Sequence, residues 1–257
     1  MFFMTLEQID GTSRINYFER QQQQVPPATE SAILALLSEL LSGKPIQYVL
    51  GETWFYRLKF KVGPAVLIPR DETEELVDLI ITRERRKASM PRKLLDIGTG
   101  SGCIAIALKK NLPRLDVSAL DFSAAALEIA QANAIANHVA IEFIHADMLT
   151  YQSAVKYDVL VSNPPYVKED ERSAMHQNVL QFEPHSALFV SNDDPLIFYS
   201  SIADFAKVSL NQGGSLYFEI NEYLGAEMEA LMISKGFKSV TIHKDLQQKD
   251  RMLSCSL

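Results

Sequence analysis

The segment Lys93-Leu94-Leu95-Asp96-Ile97 runs directly into Gly98-Thr99-Gly100-Ser101-Gly102, and a helical pattern from Ile104 to Lys110 follows. No other stretch restricts the fold as much as this strand, glycine loop and helix in sequence. Glycine tolerates positive φ and lets a ligand approach the backbone. In an open α/β sheet such a loop lies at the carboxyl end of its strand, where ligands bind. The alternation then continues. Strands are expected at Val117–Leu120, Ile141–Ile144, Asp158–Ser162, Ser215–Ile220, Val240–His243 and Met252–Ser256. Helices are expected at Thr73–Arg83, Ala124–Ala136, Leu196–Leu210 and Ala226–Lys235. Alternating strands and helices predict an α/β fold: a doubly wound, mostly parallel, seven-stranded sheet with helices on both faces.

The first part of the chain follows different rules. After the polar tract Gln21–Gln24 and the break at Val25-Pro26-Pro27, the residues Ile33, Leu34, Leu36, Leu37, Leu40 and Leu41 recur at helical spacing. Gly43 and Pro45 end that helix. Tyr48–Val66 is rich in aromatic and β-branched residues, and Phe60 and Val62 alternate with Lys59 and Lys61, which predicts a short hairpin. The expected organisation is a small helical domain over 1–50, a hairpin linker over 51–68, and the sheet domain over 69–257.

Composition narrows the function. With 257 residues, 47% of them hydrophobic, the chain can bury a large core. A formal net charge of -7 gives no global attraction to nucleic acid, and stable nucleic-acid binding is not expected. The dense basic run Arg83, Arg85, Arg86, Lys87 falls at a helix end, where cations suit the dipole. Two cysteines, Cys103 and Cys255, cannot build a disulfide framework, so a reduced, cytoplasmic setting is expected. No apolar run reaches membrane-spanning length. The five histidines are scattered and suggest no metal site.

The loop's spacing discriminates among ligands. The dinucleotide fingerprint requires a third glycine where Cys103 stands, and the phosphate loop requires a Gly-Lys-Ser/Thr that is absent. Ser101 touches glycines on both sides, which excludes the nucleophile elbow. A ligand without phosphate chemistry remains. Asp121 ends the next strand, where a carboxylate can accept both ribose hydroxyls of a nucleoside. It could also cap the helix that begins near Ser123. Asp147 and Met148 end the third strand. They could hold and flank an adenine, or serve as a turn acid and a core methionine.

The fourth strand, Tyr157–Ser162, delivers Asn163-Pro164-Pro165-Tyr166 beside that nucleoside site. Two prolines leave carbonyls without N–H donors. The Asn163 side chain adds another carbonyl, and Tyr166 offers a flat face for stacking. Such an acceptor-rich loop suits an NH2 group with two donors. Beside a nucleoside pocket, the chemistry it fits is methyl transfer from S-adenosylmethionine, with Asn163 and the Pro164 carbonyl holding the acceptor nitrogen. These residues do not choose between an amide and the exocyclic amine of a base.

Further segments resemble one family. Pro45-Ile46-Gln47-Tyr48-Val49-Leu50-Gly51-Glu52, Val66-Leu67-Ile68-Pro69-Arg70 with Glu72-Thr73-Glu74, Phe182-Glu183-Pro184 with Ala187-Leu188, and Lys244-Asp245-Leu246 with Asp250-Arg251 resemble the HemK-type glutamine methyltransferases of peptide chain release factors. The resemblance implies a Rossmann-like methyltransferase domain and S-adenosylmethionine as cofactor. It implies that Gly98, Thr99, Gly100, Ser101, Gly102, Asp121, Met148 and Asn163 contact that cofactor. It further implies that Asn163, Pro164, Pro165 and Tyr166 receive the glutamine of the Gly-Gly-Gln loop of class 1 release factors, with the N-terminal domain gripping the protein substrate. Arg57, Pro195, Asn221 and Gln248 stand where the family usually has glycine, and Asp71 where it has proline. The N-terminal part is shorter than the family's, so a shortened start is one reading. The rival functions are an amino methyltransferase acting on ribosomal RNA or DNA and a nucleoside-binding scaffold without activity.

Overall fold

The computed structural model describes residues 9, 11, 14–20, 22–86 and 92–257. Lys87 of the basic run and most of residues 1–13 lie outside them. In chain order the described elements begin with helices α1 (Arg14–Arg20), α2 (Pro27–Leu41) and α3 (Ile46–Leu50), strands β1 (Glu52–Phe55) and β2 (Leu58–Lys61), and helix α4 (Asp71–Arg85). Then come β3 (Arg92–Ile97), α5 (Cys103–Asn111), β4 (Leu115–Asp121), α6 (Ala124–Ala136), β5 (Glu142–His145), β6 (Tyr157–Ser162) and β7 (Val167–Lys168). After a 3-10 turn follow α7 (Gln177–Phe182), β8 (Phe189–Val190), α8 (Ile197–Ser209), β9 (Leu210–Glu219), α9 (Gly225–Ser234), β10 (Lys238–Lys244) and β11 (Asp250–Ser256).

Seven strands form one sheet in the order β10-β11-β9-β6-β3-β4-β5. The run β9-β6-β3-β4-β5 is parallel, and β11 and β10 add antiparallel strands at one edge. This is the expected sheet. From β3 the chain moves outward through β4 and β5, then returns to lay β6 on the other side of β3. The carboxyl ends of β3 and β6 therefore flank the topological switch point, where open α/β sheets bind ligands. Ile97 pairs with Ser162 in register, and the Ser162 hydroxyl donates to the Ile97 carbonyl at 2.7 Å. Gly98 and Asn163 thus leave the sheet side by side.

The near-continuous apolar runs of β3 and β6 suit strands covered on both faces. One face packs Leu94, Val159 and Tyr217 under Leu76, Val77 and Ile80 of α4 and Ile104 and Leu108 of α5. The other packs Leu95, Leu160 and Phe218 under Tyr199 and Ile202 of α8 and Met228 and Met232 of α9. The hairpin β1–β2 is closed by Tyr56 and Arg57, both at positive φ (48° and 61°). Two left-handed central residues match the right-handed strand twist, which is why glycine is favoured at such turns. In α2 no side chain is buried, and Leu34, Leu37 and Leu41 are exposed. Among the described residues no helix is long and apolar enough to cross a membrane.

Candidate active site

A cavity of about 410 Å³ opens at the switch point. Its floor is Gly98, Thr99, Gly100 and Ser101 after β3. All three loop glycines are left-handed, with φ of 73°, 54° and 81°. Side chains built at Gly98 or Gly100 would meet nothing, so both leave open space. Gly102 differs. It does not line the cavity, and a Cβ there would lie 3.0 Å from Ile106 and 3.1 Å from Ala130 of α6. Its role is close helix packing, and the structure separates it from the other loop residues expected at the cofactor.

Beneath the loop, Asp96 is fully buried. One oxygen accepts from the Thr99 hydroxyl (2.6 Å) and the Ala105 amide (3.2 Å), while Oδ1 has no partner among the described residues. Burial pushes this carboxyl up to about 7, against those hydrogen bonds and with a further rise from the Asp121 charge. Asp121, at the end of β4, borders the cavity. It accepts from the Gly100 amide at 2.8 Å and the Ser123 amide at 2.9 Å. The cap of α6 is Ser123, whose hydroxyl accepts from the Ala126 amide. Asp121 therefore braces the glycine loop and keeps an edge toward the cavity. Met148 lines the cavity, as does Asp147, whose Oδ1 accepts from the Leu149 amide and so forms a turn.

Asn163, Pro164 and Pro165 line the opposite wall. The Asn163 side-chain amide donates to the Thr73 hydroxyl at 3.3 Å. Tyr166 is not among the lining residues. Its ring packs against the core around Tyr199 and Phe218, and its hydroxyl donates to Glu219 at 3.0 Å. The Asn221 amide holds the Tyr166 carbonyl at 3.1 Å. The expected stacking face is turned to the core in this conformation.

The remaining walls come from segments the sequence reading did not place in the pocket: Val66, Pro69, Arg70 and Thr73 on one side, Pro184, Ala187 and Phe189 on the other. They are strapped together. Glu183 is buried and accepts from the Ile68 amide (3.1 Å) and from Arg70 Nη2 (2.6 Å). The motif reading missed Asn133 and Glu219 as well. Asn133 is a fully buried amide in an alanine-rich helix, and Glu219 is a buried acid closing an apolar strand. A polar residue inside an otherwise apolar element was the available signal, because buried polar groups must find partners. Cys103, which also lines the cavity, is a free thiol that burial pushes up to about 12. Among the described residues no cluster of His, Cys, Asp and Glu could hold a metal ion.

A sheet reversing at β3, a glycine loop opposite an acidic strand end, and an Asn-Pro-Pro-Tyr loop on the neighbouring strand together define a methyltransferase. The methyltransferase small domain family matches residues 75–186. The release factor glutamine methyltransferase of Flavobacterium psychrophilum is 50% identical over 220 residues, 85% of this chain and 77% of that protein. Its counterpart in Bacteroides thetaiotaomicron is 45% identical, over 86% and 79% of the two chains. The chain belongs to the release factor glutamine methyltransferase family. In fold it also resembles a Thermus thermophilus 16S ribosomal RNA methyltransferase, solved with S-adenosylmethionine and guanosine (TM-score 0.54, 17% identity, 80% of this chain and 49% of that one).

Proposed function

We propose that this enzyme transfers a methyl group from S-adenosylmethionine to the side-chain nitrogen of the glutamine in the Gly-Gly-Gln loop of class 1 release factors. The observation that carries the reading is the placement of Asn163 and Pro164 across one cavity from Gly98–Ser101, Asp121 and Met148. The residues fit the cofactor. Gly98 and Gly100 leave space for it, Asp121 presents a carboxylate suited to ribose hydroxyls, and Met148 supplies an apolar flank. When bound, S-adenosylmethionine supplies an activated sulfonium methyl.

The chain's own residues then have three tasks. The floor and walls exclude water from the reacting groups. Asn163 Oδ1 and the Pro164 carbonyl accept the two hydrogens of the acceptor NH2 and fix its direction of approach. The amide nitrogen is a weak nucleophile because its lone pair is delocalised. Acceptors already in place stabilise the positive charge that grows on it as the nitrogen–carbon bond forms and the methyl–sulfur bond breaks, and the methylated nitrogen then gives up one proton to solvent. Tyr166 anchors the loop through Glu219. The exposed leucines of α2 suit the N-terminal segment over 1–50 to gripping the protein substrate. The buried, unpaired Cys103 and Cys255 suit a cytoplasmic setting, and the acidic chain suits a protein substrate better than RNA.

The test is mass spectrometry of a release factor after incubation with enzyme and S-adenosylmethionine. A methyl group on the Gly-Gly-Gln glutamine is the expected result, with Asn163→Ala losing at least about 100-fold in turnover while still binding cofactor. An unmodified release factor beside methylated ribosomal RNA would replace this reading with the base-directed one.

A further inference from the structure

Asn163 can assist only if its carbonyl oxygen faces the acceptor nitrogen. A free asparagine amide has no such preference, since its two ends are nearly the same shape. Something must hold the NH2 end away from the cavity. The nearest partner is the Thr73 hydroxyl, 3.3 Å from Nδ2. A hydroxyl has one proton, so it can donate once and otherwise accepts. Thr73 also lies 2.7 Å from Glu219 Oε2, and the other Glu219 oxygen takes the Tyr166 hydroxyl at 3.0 Å. A carboxylate only accepts. The Thr73 proton is therefore committed to Glu219, and its oxygen can only accept from Asn163, which must present Nδ2. The chain of donors fixes the flip of the amide.

We infer that Glu219 is a positioning residue for methyl transfer: through Thr73 it turns the carbonyl of Asn163 toward the acceptor nitrogen, and through Tyr166 it anchors the far end of the same loop. The geometry is independent of local sequence, because Glu219 closes β9 while Thr73 sits in the first turn of α4. Glu219 is buried and does not line the cavity, so it acts only through its neighbours. Its own backbone carbonyl accepts from the Tyr199 hydroxyl at 3.0 Å, which ties the strand end to α8.

The inference rests on the glutamine-methylating reading of this site, and wild-type methylation of a release factor is the control that separates the two. If the wild type leaves the release factor unmodified, the functional reading falls. If the wild type methylates it, the variants decide on Glu219. Thr73→Val keeps the shape and removes the relay, and turnover should fall by about 100-fold, the scale set by losing alignment at a reacting atom. Thr73→Ser restores the hydroxyl and should stay within about threefold of wild type. Glu219→Gln introduces a donor facing one of the two hydroxyls, and turnover should fall by about tenfold or more. In each folded variant, KM for the release factor and calorimetric cofactor affinity should move by less than about threefold, since the loss falls on alignment in the transition state. Turnover within about threefold of wild type in a folded Thr73→Val or Glu219→Gln variant overturns the inference. A rise in KM with unchanged turnover does the same. Thermal melts establish folding, and either variant decides when the other does not fold.

Discussion

Replacing Asn133 with alanine removes the amide that joins three parts of the protein. Its Oδ1 accepts from the Lys61 amide at 2.6 Å. Its Nδ2 donates to the Lys61 carbonyl at 3.0 Å and to the Ser101 carbonyl at 2.9 Å. The side chain is fully buried. One residue of α6 therefore docks the hairpin strand β2 and holds the back of the glycine loop. Each of the three bonds contributes about 1 kcal/mol net, and groups left unpaired in the interior add to that. Asn133→Ala should cost about 3–4 kcal/mol, a fall in melting temperature of about 6–16 °C for a chain of this size. Asn133→Asp provides the sharper contrast. It keeps the acceptor for Lys61 but sets a carboxylate against two carbonyl oxygens in a buried place, so it should cost more than alanine. Thermal and chemical denaturation of both variants measure this, and calorimetry should show weaker cofactor binding as the loop loosens. A cost below about 1 kcal/mol for alanine, or an aspartate variant more stable than the alanine one, would refute the reasoning.

Arg57 and Gln248 hold left-handed backbone, with φ of 61° and 67°, a conformation that favours glycine. Glycine relieves strain of about 1–2 kcal/mol at such a position and loses part of that to unfolded-chain entropy. Arg57→Gly and Gln248→Gly should each stabilise by about 0.5–1 kcal/mol, and chemical denaturation showing destabilisation in both would count against the turn geometry. Asp96 gives a pH signature. Its native carboxyl is pushed up to about 7, while the unfolded one titrates near 3.9. The native state then binds more protons between about pH 4 and the native value, so this group's stabilising contribution is complete below that interval and is lost as pH rises through it. Denaturation at both ends of the interval should show the wild type losing stability relative to Asp96→Asn, whose amide does not titrate. An unchanged difference between the two would place the Asp96 carboxyl at its ordinary value.

The parts of the molecule legible in the sequence are those with a strong period. Helix α6 spans the expected Ala124–Ala136, and β3 extends the expected strand by one residue, to Arg92. The apolar pattern of α6 runs to both of its ends, while β3 opens on the charged Arg92 and Lys93 before its apolar residues. Strand β9 begins at Leu210, earlier than the expected Ser215, and takes in Gly213 and Gly214. In the sheet, a Cβ at Gly214 would lie 2.9 Å from the Asn211 carbonyl, so glycine serves close approach within the strand. The pairing with β6 is irregular at that point. The two-residue strands β7 and β8 are too short to show any period, and only their pairing with each other defines them. Helix α4 starts at Asp71, two residues before the expected Thr73. Aspartate suits a helix's first turn, where its charge complements the dipole.

The site divides along the same line. Gly98–Ser101, Asp121 and Asn163–Pro165 were legible as lining of one cavity because each lies at a strand end, and strand ends of a doubly wound sheet converge, whereas Gly102 and Tyr166 turn into the packing. The segments that carried the family resemblance had no local chemistry to explain them, and their partners are each other. The Tyr48 hydroxyl donates to the Val66 carbonyl at 2.6 Å. Glu183 bonds the Ile68 amide across 115 residues of sequence and pairs with Arg70. Arg251 Nε donates to Asp245 at 3.2 Å, and the Arg251 carbonyl accepts from the amide of Ile220, the residue after Glu219. No periodicity can reveal the bonds of Glu183 to Ile68 and Arg70, more than a hundred residues away. These bonds hold Val66–Arg70 and Pro184–Ala187 as the cavity walls beside the Asn-Pro-Pro-Tyr loop. That loop brings Asn163, Pro164 and Pro165 to the cavity. The walls are the part of the cavity built from the segments that carry the family resemblance.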